Sequence, residues 1–133
     1  MKSDRHNMRY LRIRTSRSMV SHVPHENDVH DQLPLKPVEF VVLAVLADGH
    51  RHGYGIVQEM EQRTGGVMRI RPGDLYRVLY RLSERGVLKT VERRPAADDE
   101  RRTYYGLTAF GKRVLRAEAD MLSGIIAQVP SST

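Results

Sequence analysis

A chain of 133 residues with a formal net charge of +6 and neither cysteine nor tryptophan has room for one domain with a modest core, and it excludes disulfide scaffolds and cysteine-ligated metal sites. No apolar run approaches the roughly 18 residues of a membrane span, and no apolar stretch follows the basic N-terminus as a secretory signal requires, so a cytoplasmic protein without a membrane partner is expected. The positive charge is local: residues 69 to 102 hold ten Lys/Arg against six Asp/Glu, whereas residues 1 to 33 hold six against four. A localised basic segment suits a polyanionic partner better than an evenly charged surface does.

Residues 1–33 lack sustained periodicity, are broken by Pro24, and end just before Pro34, so they are expected to form a mobile N-terminal arm. Arg9, Arg12, Arg14 and Arg17 suit a basic arm on phosphates. His22, His25 and His30 with Glu26, Asp28 and Asp31 have no sharp ligand spacing, and the solvated tail is preferred to a metal cluster. No metal, cofactor or catalytic residue is assigned.

Pro37 opens an apolar run that stops at Asp48-Gly49; proline at a first helical position and glycine at the end favour a helix over a buried strand. The unbroken stretch from Phe40 to Ala47 implies burial on more than one side, and one of those sides is open to a partner subunit. Gly53-Tyr54-Gly55 then leads into a short second helix with Ile56, Val57 and Met60 inward, closed by Thr64-Gly65-Gly66. His50, Arg51 and His52 sit just before that helix start, where either a phosphate contact or a solvated loop fits.

The most informative stretch runs from Pro72 to Gly86. At helical spacing Leu75, Val78, Leu79 and Leu82 form one apolar stripe. Arg77, Arg81 and Glu84 are left outward, with Tyr76 and Tyr80 one turn apart on the flank. Pro72 suits the first helical turn, and Gly86 the left-handed position past the last. Two segments rich in β-branched and aromatic residues follow, 87–94 and 103–107, separated by the polar connection from Pro95 to Arg102. They predict a β-hairpin with Arg93, Arg94, Arg101 and Arg102 near its tip, interrupted by Asp98, Asp99 and Glu100. A helix followed by a basic hairpin outlines a winged helix-turn-helix, a mainly α fold with a small β-hairpin (α+β).

Thr108 is a good N-cap for a last helix running to about Val129. Phe110, Val114, Ala117, Met121 and Ile125 mark one edge; Leu115, Ala119, Leu122, Ile126 and Val129 mark a second, about a third of a turn around. So wide a stripe exceeds what one small domain covers, and part of it is expected against another subunit. No cysteine nucleophile, G-x-S-x-G elbow, Walker loop or H-E-x-x-H is present, so catalysis is not expected.

Leu75-Tyr76-Arg77-Val78-Leu79-Tyr80-Arg81-Leu82, the Arg-Gly-Val-Leu that follows, Arg101-Arg102-Thr103-Tyr104-Tyr105-Gly106-Leu107-Thr108 and His52-Gly53-Tyr54-Gly55-Ile56 resemble, in this order and spacing, the PadR-like winged helix-turn-helix transcriptional regulators. The form resembled is the short one, with a single C-terminal dimerisation helix. The resemblance spans roughly Leu35 to Val129. With the residue reading it divides the chain into an arm (1–33), a winged helix-turn-helix DNA-binding domain (34–107), a dimerisation helix (108–129) and a tail (130–133). It implies a homodimeric, sequence-specific DNA-binding regulator, a repressor on a palindromic operator, released by a small effector of unknown identity. In that scheme Arg77 and Arg81 reach base edges or nearby phosphates, and Arg69, Arg71, Tyr76, Tyr80, Arg93, Arg94, Arg101 and Arg102 position the duplex. Phe40, Leu115, Leu122, Ile126 and Val129 are the expected dimer contacts. Asp74 stands where relatives often carry a small hydroxyl residue; its carboxylate suits the helix dipole but repels phosphate. The alternative is a winged-helix module whose basic face meets an acidic protein partner.

Overall fold

The computed structural model describes residues 26–93 and 102–132. In chain order these form α1 (Glu26–Asp31), α2 (Pro37–Leu46), β1 (Arg51–His52), α3 (Gly53–Arg63), α4 (Pro72–Glu84), β2 (Leu88–Arg93), β3 (Arg102–Leu107) and α5 (Ala109–Ile126). The strands make one antiparallel sheet in the order β1-β3-β2. The expected hairpin is β2–β3, paired in register from Leu88 opposite Leu107 to Arg93 opposite Arg102. β1 adds two residues to its other edge, Arg51 opposite Tyr105 and His52 opposite Tyr104, in a segment expected to be a loop.

Periodicity placed the core correctly on α4. Leu75, Val78, Leu79 and Leu82 are buried, together with Val42, Leu43, Val45 and Leu46 of α2, Ile56 and Met60 of α3, and Phe110 and Val114 of α5. Each such side chain contributes roughly 1.5–3 kcal/mol by leaving water, and the four helices meet on one cluster. Val57, expected inward on α3, is only half-buried.

The helix ends explain how these elements are aimed. Gly86 lies at φ +76 just past α4. Its N–H donates to the Ser83 carbonyl and that of Val87 to the Leu82 carbonyl, the paired closure that a left-handed residue after a helix permits. The chain therefore turns directly into β2. Thr108 caps α5 by accepting the Gly111 N–H on Oγ1 at 2.9 Å, while its hydroxyl donates to the Gly86 carbonyl at 2.7 Å, so the end of α4 and the start of α5 are joined through one side chain.

Two boundaries differ from expectation. The stretch 1–33 is not all arm: α1 packs on α5, and Val29 is fully buried. Periodicity could not show this, because a six-residue helix buries one apolar residue and makes no stripe. The basic arm at Arg9 to Arg17, and His22 and His25, lie outside the described residues. α5 ends at Ile126 rather than near Val129, which sits in a following turn that returns its N–H to the Ile126 carbonyl. Phe40 and Val41 of α2 keep part of their surface exposed, on the side of the run left open to a partner subunit in the expectation above. No helix among the described residues is long and apolar enough to cross a membrane.

Candidate nucleic-acid interface

Burying the leucine stripe of α4 forces its opposite face outward. Tyr76, Arg77, Tyr80 and Arg81 are all exposed there, and Arg69 and Arg71 are exposed in the segment that leads in. Tyr80 is 66% exposed, an unusual position for a phenol unless it has something to lie on. The two arginines one turn apart are not equivalent. Arg77 is paired with Asp74, three residues earlier on the same helix. Arg81 makes no ion pair among the described residues. Arg69 reaches Glu61 at 3.6 Å and the Gly66 carbonyl at 3.2 Å, and is held at the edge of the α3–α4 turn.

The hairpin brings Arg102 beside this face. Its Nη1 lies 3.3 Å from Nε2 of His52. The backbone of Arg93 is placed in β2 directly opposite Arg102; Arg94 and Arg101, with the connecting residues between them, lie outside the described residues.

Of the three residues before α3, only His52 is aimed at this surface. It caps the helix, its Nδ1 accepting the Gly55 N–H at 3.2 Å, and its ring meets Tyr104 edge-on at 5.4 Å. Arg51 turns inward instead. Its Nε donates to the Val45 carbonyl at 3.2 Å, and its guanidinium pairs with Asp48 and Glu59, so it is spent within the fold. The His50 ring packs over Gly106.

Tyr76 joins the two halves of this surface. A Cβ on Gly53 would lie 2.5 Å from the Tyr76 hydroxyl, so glycine is what lets α4 approach the start of α3 this closely. Between His52, Tyr54, Tyr76, Arg102 and Tyr105 the approach leaves an open cavity of about 430 Å³. Burial pushes the Tyr105 phenol up, and the neighbouring Tyr76 adds to the shift, so Tyr105 remains a neutral donor at physiological pH. Sequence reasoning missed Tyr54 and Tyr105, whose part depends on a β1–β3 pairing that no local pattern announces.

A second missed feature holds α4 in place. Glu39 is buried, accepts the Lys36 N–H at 2.9 Å, and pairs with Arg85 at 2.9 Å; Arg85 also donates to Gln32 at 2.7 Å. Glu118, 2% exposed on α5, accepts the Leu35 N–H at 3.2 Å. The segment between α1 and α2 is thus tied to both α4 and α5. Among the described residues no group of three or more His, Asp or Glu is placed to hold a metal ion.

The expected dimer residues divide. Phe40 and Leu115 pack partly against the core, Leu122 is half-buried, and Ile126 and Val129 are 67% and 57% exposed. Met121 and Ile125 extend this exposed apolar surface.

Fold and surface together define a winged helix-turn-helix protein: three helices, a hairpin, and a basic, tyrosine-bearing face on the third helix of the core. The family model described as the transcriptional regulator PadR-like family matches residues 42–117, and the chain belongs to that family, whose members are transcriptional regulators rather than enzymes. A crystal structure of a PadR family transcription regulator from Clostridium difficile R20291 superposes with a TM-score of 0.61 at 22% identity, covering 69% of this chain and 93% of that one. Bacillus subtilis PadR, solved in complex with operator DNA, gives a TM-score of 0.55 at 21% identity over 63% of this chain and 47% of that one. An uncharacterised 37.1 kDa protein of transposon TN4556 from Streptomyces fradiae is 34% identical over 91 residues, which are 68% of this chain but 24% of that protein. This chain therefore spans about a quarter of the length of that curated relative.

Proposed function

We propose that the protein is a sequence-specific DNA-binding regulator that acts as a two-fold dimer on a palindromic operator and represses by occupying it. The observation that carries this is the outward face of α4, where Tyr76, Tyr80 and Arg81 are exposed and Arg81 has no carboxylate partner among the described residues. A long, uncompensated guanidinium on an exposed helix face suits the guanine acceptors of a major groove. Arg77, already held by Asp74, is better suited to a nearby phosphate, with Arg69, Arg71 and the hairpin arginines Arg93, Arg94, Arg101 and Arg102 positioning the duplex. The operator-bound state of the Bacillus subtilis protein supports the same use of the shared fold. The exposed apolar end of α5, with Leu115 and with Phe40 of α2 beside it, supplies the dimer contact, and two copies related by that contact imply half-sites about one helical turn apart or a multiple of it. A small effector of unknown identity shifts this dimer and releases the operator.

The test is a mobility-shift and footprinting series on DNA upstream of the protein's own reading frame. The parent should protect a symmetric site. Arg81→Ala should lose about 1–3 kcal/mol of discrimination at one base pair per half-site while binding non-specific duplex as before. If the parent protects no site there or in a genomic selection, and Arg81→Ala matches it on every duplex, DNA reading is wrong and a protein-binding module takes its place.

A further inference from the structure

We propose that Gln32, Glu39, Arg85 and Glu118 are positioning residues: through the segment 32–35 they hold α4 at a fixed angle to α5, and so set the spacing between half-sites that the dimer accepts. This rests on the DNA-binding dimer of the preceding subsection. Both ends of the segment are hydrogen-bonded to a helix. At its start the Gln32 side chain accepts from Nε of Arg85 at 2.7 Å; at its end the Leu35 N–H donates to Glu118 of α5 at 3.2 Å. Arg85 in turn closes α4, its own N–H returning to the Arg81 carbonyl at 3.1 Å, so the grip falls one turn from the guanidinium that reads bases in that scheme. Glu39 of α2 holds Arg85 as well: one carboxylate oxygen takes Nη1 at 2.9 Å and the other takes the Lys36 N–H at 2.9 Å.

Glu118 stands where the cover on α5 ends. It is buried, whereas Met121 and Ile125, one and two turns further along, are exposed. The Thr108 hydroxyl already ties the start of α5 to the end of α4 through the Gly86 carbonyl. The 32–35 segment adds a second tie about 15 Å further along α5, at 1.5 Å per residue. One tie leaves a pivot; two separated ties fix an angle. Buried charge is a poor way to gain stability, since apolar side chains of similar volume often serve as well or better. What carboxylates add is direction, which apolar contacts between sliding helices lack. Direction matters here because two copies of α4 engage both half-sites only when their separation matches the helical repeat of the duplex.

Gln32→Ala cuts the tie at α4, and because Gln32 is only half-buried it leaves the core intact. Glu118→Leu cuts the tie at α5. Gln32→Glu and Glu118→Gln keep an acceptor oxygen in each place and serve as rescues. The readout is affinity for operators whose half-sites are moved apart one base pair at a time, beside a duplex carrying a single half-site. The parent should lose roughly 100-fold or more at the first wrong spacing, because one of its two linked contacts is then lost. Both cut variants should lose no more than about 10-fold there while binding the single half-site as the parent does, and the rescues should restore the sharp profile. The chain has no cysteine, so a spin label on Glu84→Cys, exposed on α4, gives an independent reading: the distance between the two labels of a dimer should be narrowly distributed in the parent and broader in the cut variants. Cut variants that melt lower yet keep the parent's spacing profile and distance width have lost stability alone, which overturns the positioning role and leaves the DNA reading standing. If the parent binds no duplex, the DNA reading fails and the setting of half-site spacing falls with it, whatever the label distances show.

Discussion

α4 and α5 are both amphipathic helices over the same core, yet they leave opposite things uncovered. α4 buries its whole stripe from Leu75 to Leu82 and presents tyrosines and arginines. α5 buries Phe110, Val114 and Glu118 in its first half, then runs on with Met121, Ile125 and Ile126 exposed and Leu122 half-buried. A charged face in water costs nothing and waits for an opposite charge. An apolar helix end in water is unfavourable in proportion to its area, at roughly 25 cal/mol per Å², and covering it is favourable by the same measure. The two helices therefore suit the two kinds of partner proposed above, a polyanion and a second apolar surface.

The sharpest way to break that comparison is to make the end of α5 resemble the face of α4. Ile126→Glu, or Leu122→Glu, places a carboxylate where a partner subunit would bury it, at a cost of several kcal/mol. The expected outcome by light scattering at micromolar concentration is a dimer for the parent and a monomer for either variant. Operator affinity should fall by roughly 100-fold or more, because two linked half-site contacts become one. A parent that is itself monomeric would leave the end of α5 to some other covering surface.

The first half of α5 is covered within the chain, in part by α1, and the second prediction removes that cover. Val29 is fully buried in the core cluster, so Val29→Ala should lower stability by roughly 2 kcal/mol. A chain starting at Gln32 should melt lower still, since it loses the whole of α1 and the backbone hydrogen bonds from Gln32 and Leu33 to the Val29 and His30 carbonyls. Thermal melting followed by circular dichroism checks both. An unchanged melting curve for the truncated chain would mean that the contact of α1 with α5 contributes nothing.

That contrast also shows what could be read in advance. The stripe of α4, the hairpin, the glycine at position 86 and the Thr108 cap all follow from local rules, because each depends on spacing or on one residue's conformational preference, and the family resemblance adds their arrangement. What escaped depends on long-range meeting. Glu39 and Arg85 look like surface charges until α2 and α4 pack; Glu118 looks like a wet interruption of a stripe until it accepts the Leu35 N–H. Arg51, which fitted either a phosphate contact or a solvated loop, is held by Asp48 and Glu59. Charge type was legible, and pairing was not.

The smallest effect separates paired from unpaired charge directly. Asp48 lies with Arg51 at 3.2 Å and Arg63 at 3.3 Å, and Arg63 with Glu59 at 2.7 Å, a cluster that is neutral on its own terms, unlike Arg81. The hydrogen bond from Arg51 holds the Asp48 carboxyl below its ordinary value, partial desolvation opposes it, and Arg63 adds to the lowering. A carboxyl depressed by folding binds fewer protons folded than unfolded, so its stabilising contribution is complete above the unfolded value of about 3.9. It is lost as pH falls through the folded value. Asp48→Asn should therefore melt slightly below the parent at neutral pH, and the gap should close in acid below about pH 4. Because the site is exposed, the gap should also shrink with added salt. The same variant should leave the salt slope of operator binding unchanged, as this cluster neutralises itself rather than phosphate. A slope altered by about 0.9, the amount one phosphate contact carries, would place Asp48 and its arginines on the DNA face and erase the distinction between the two kinds of charged surface.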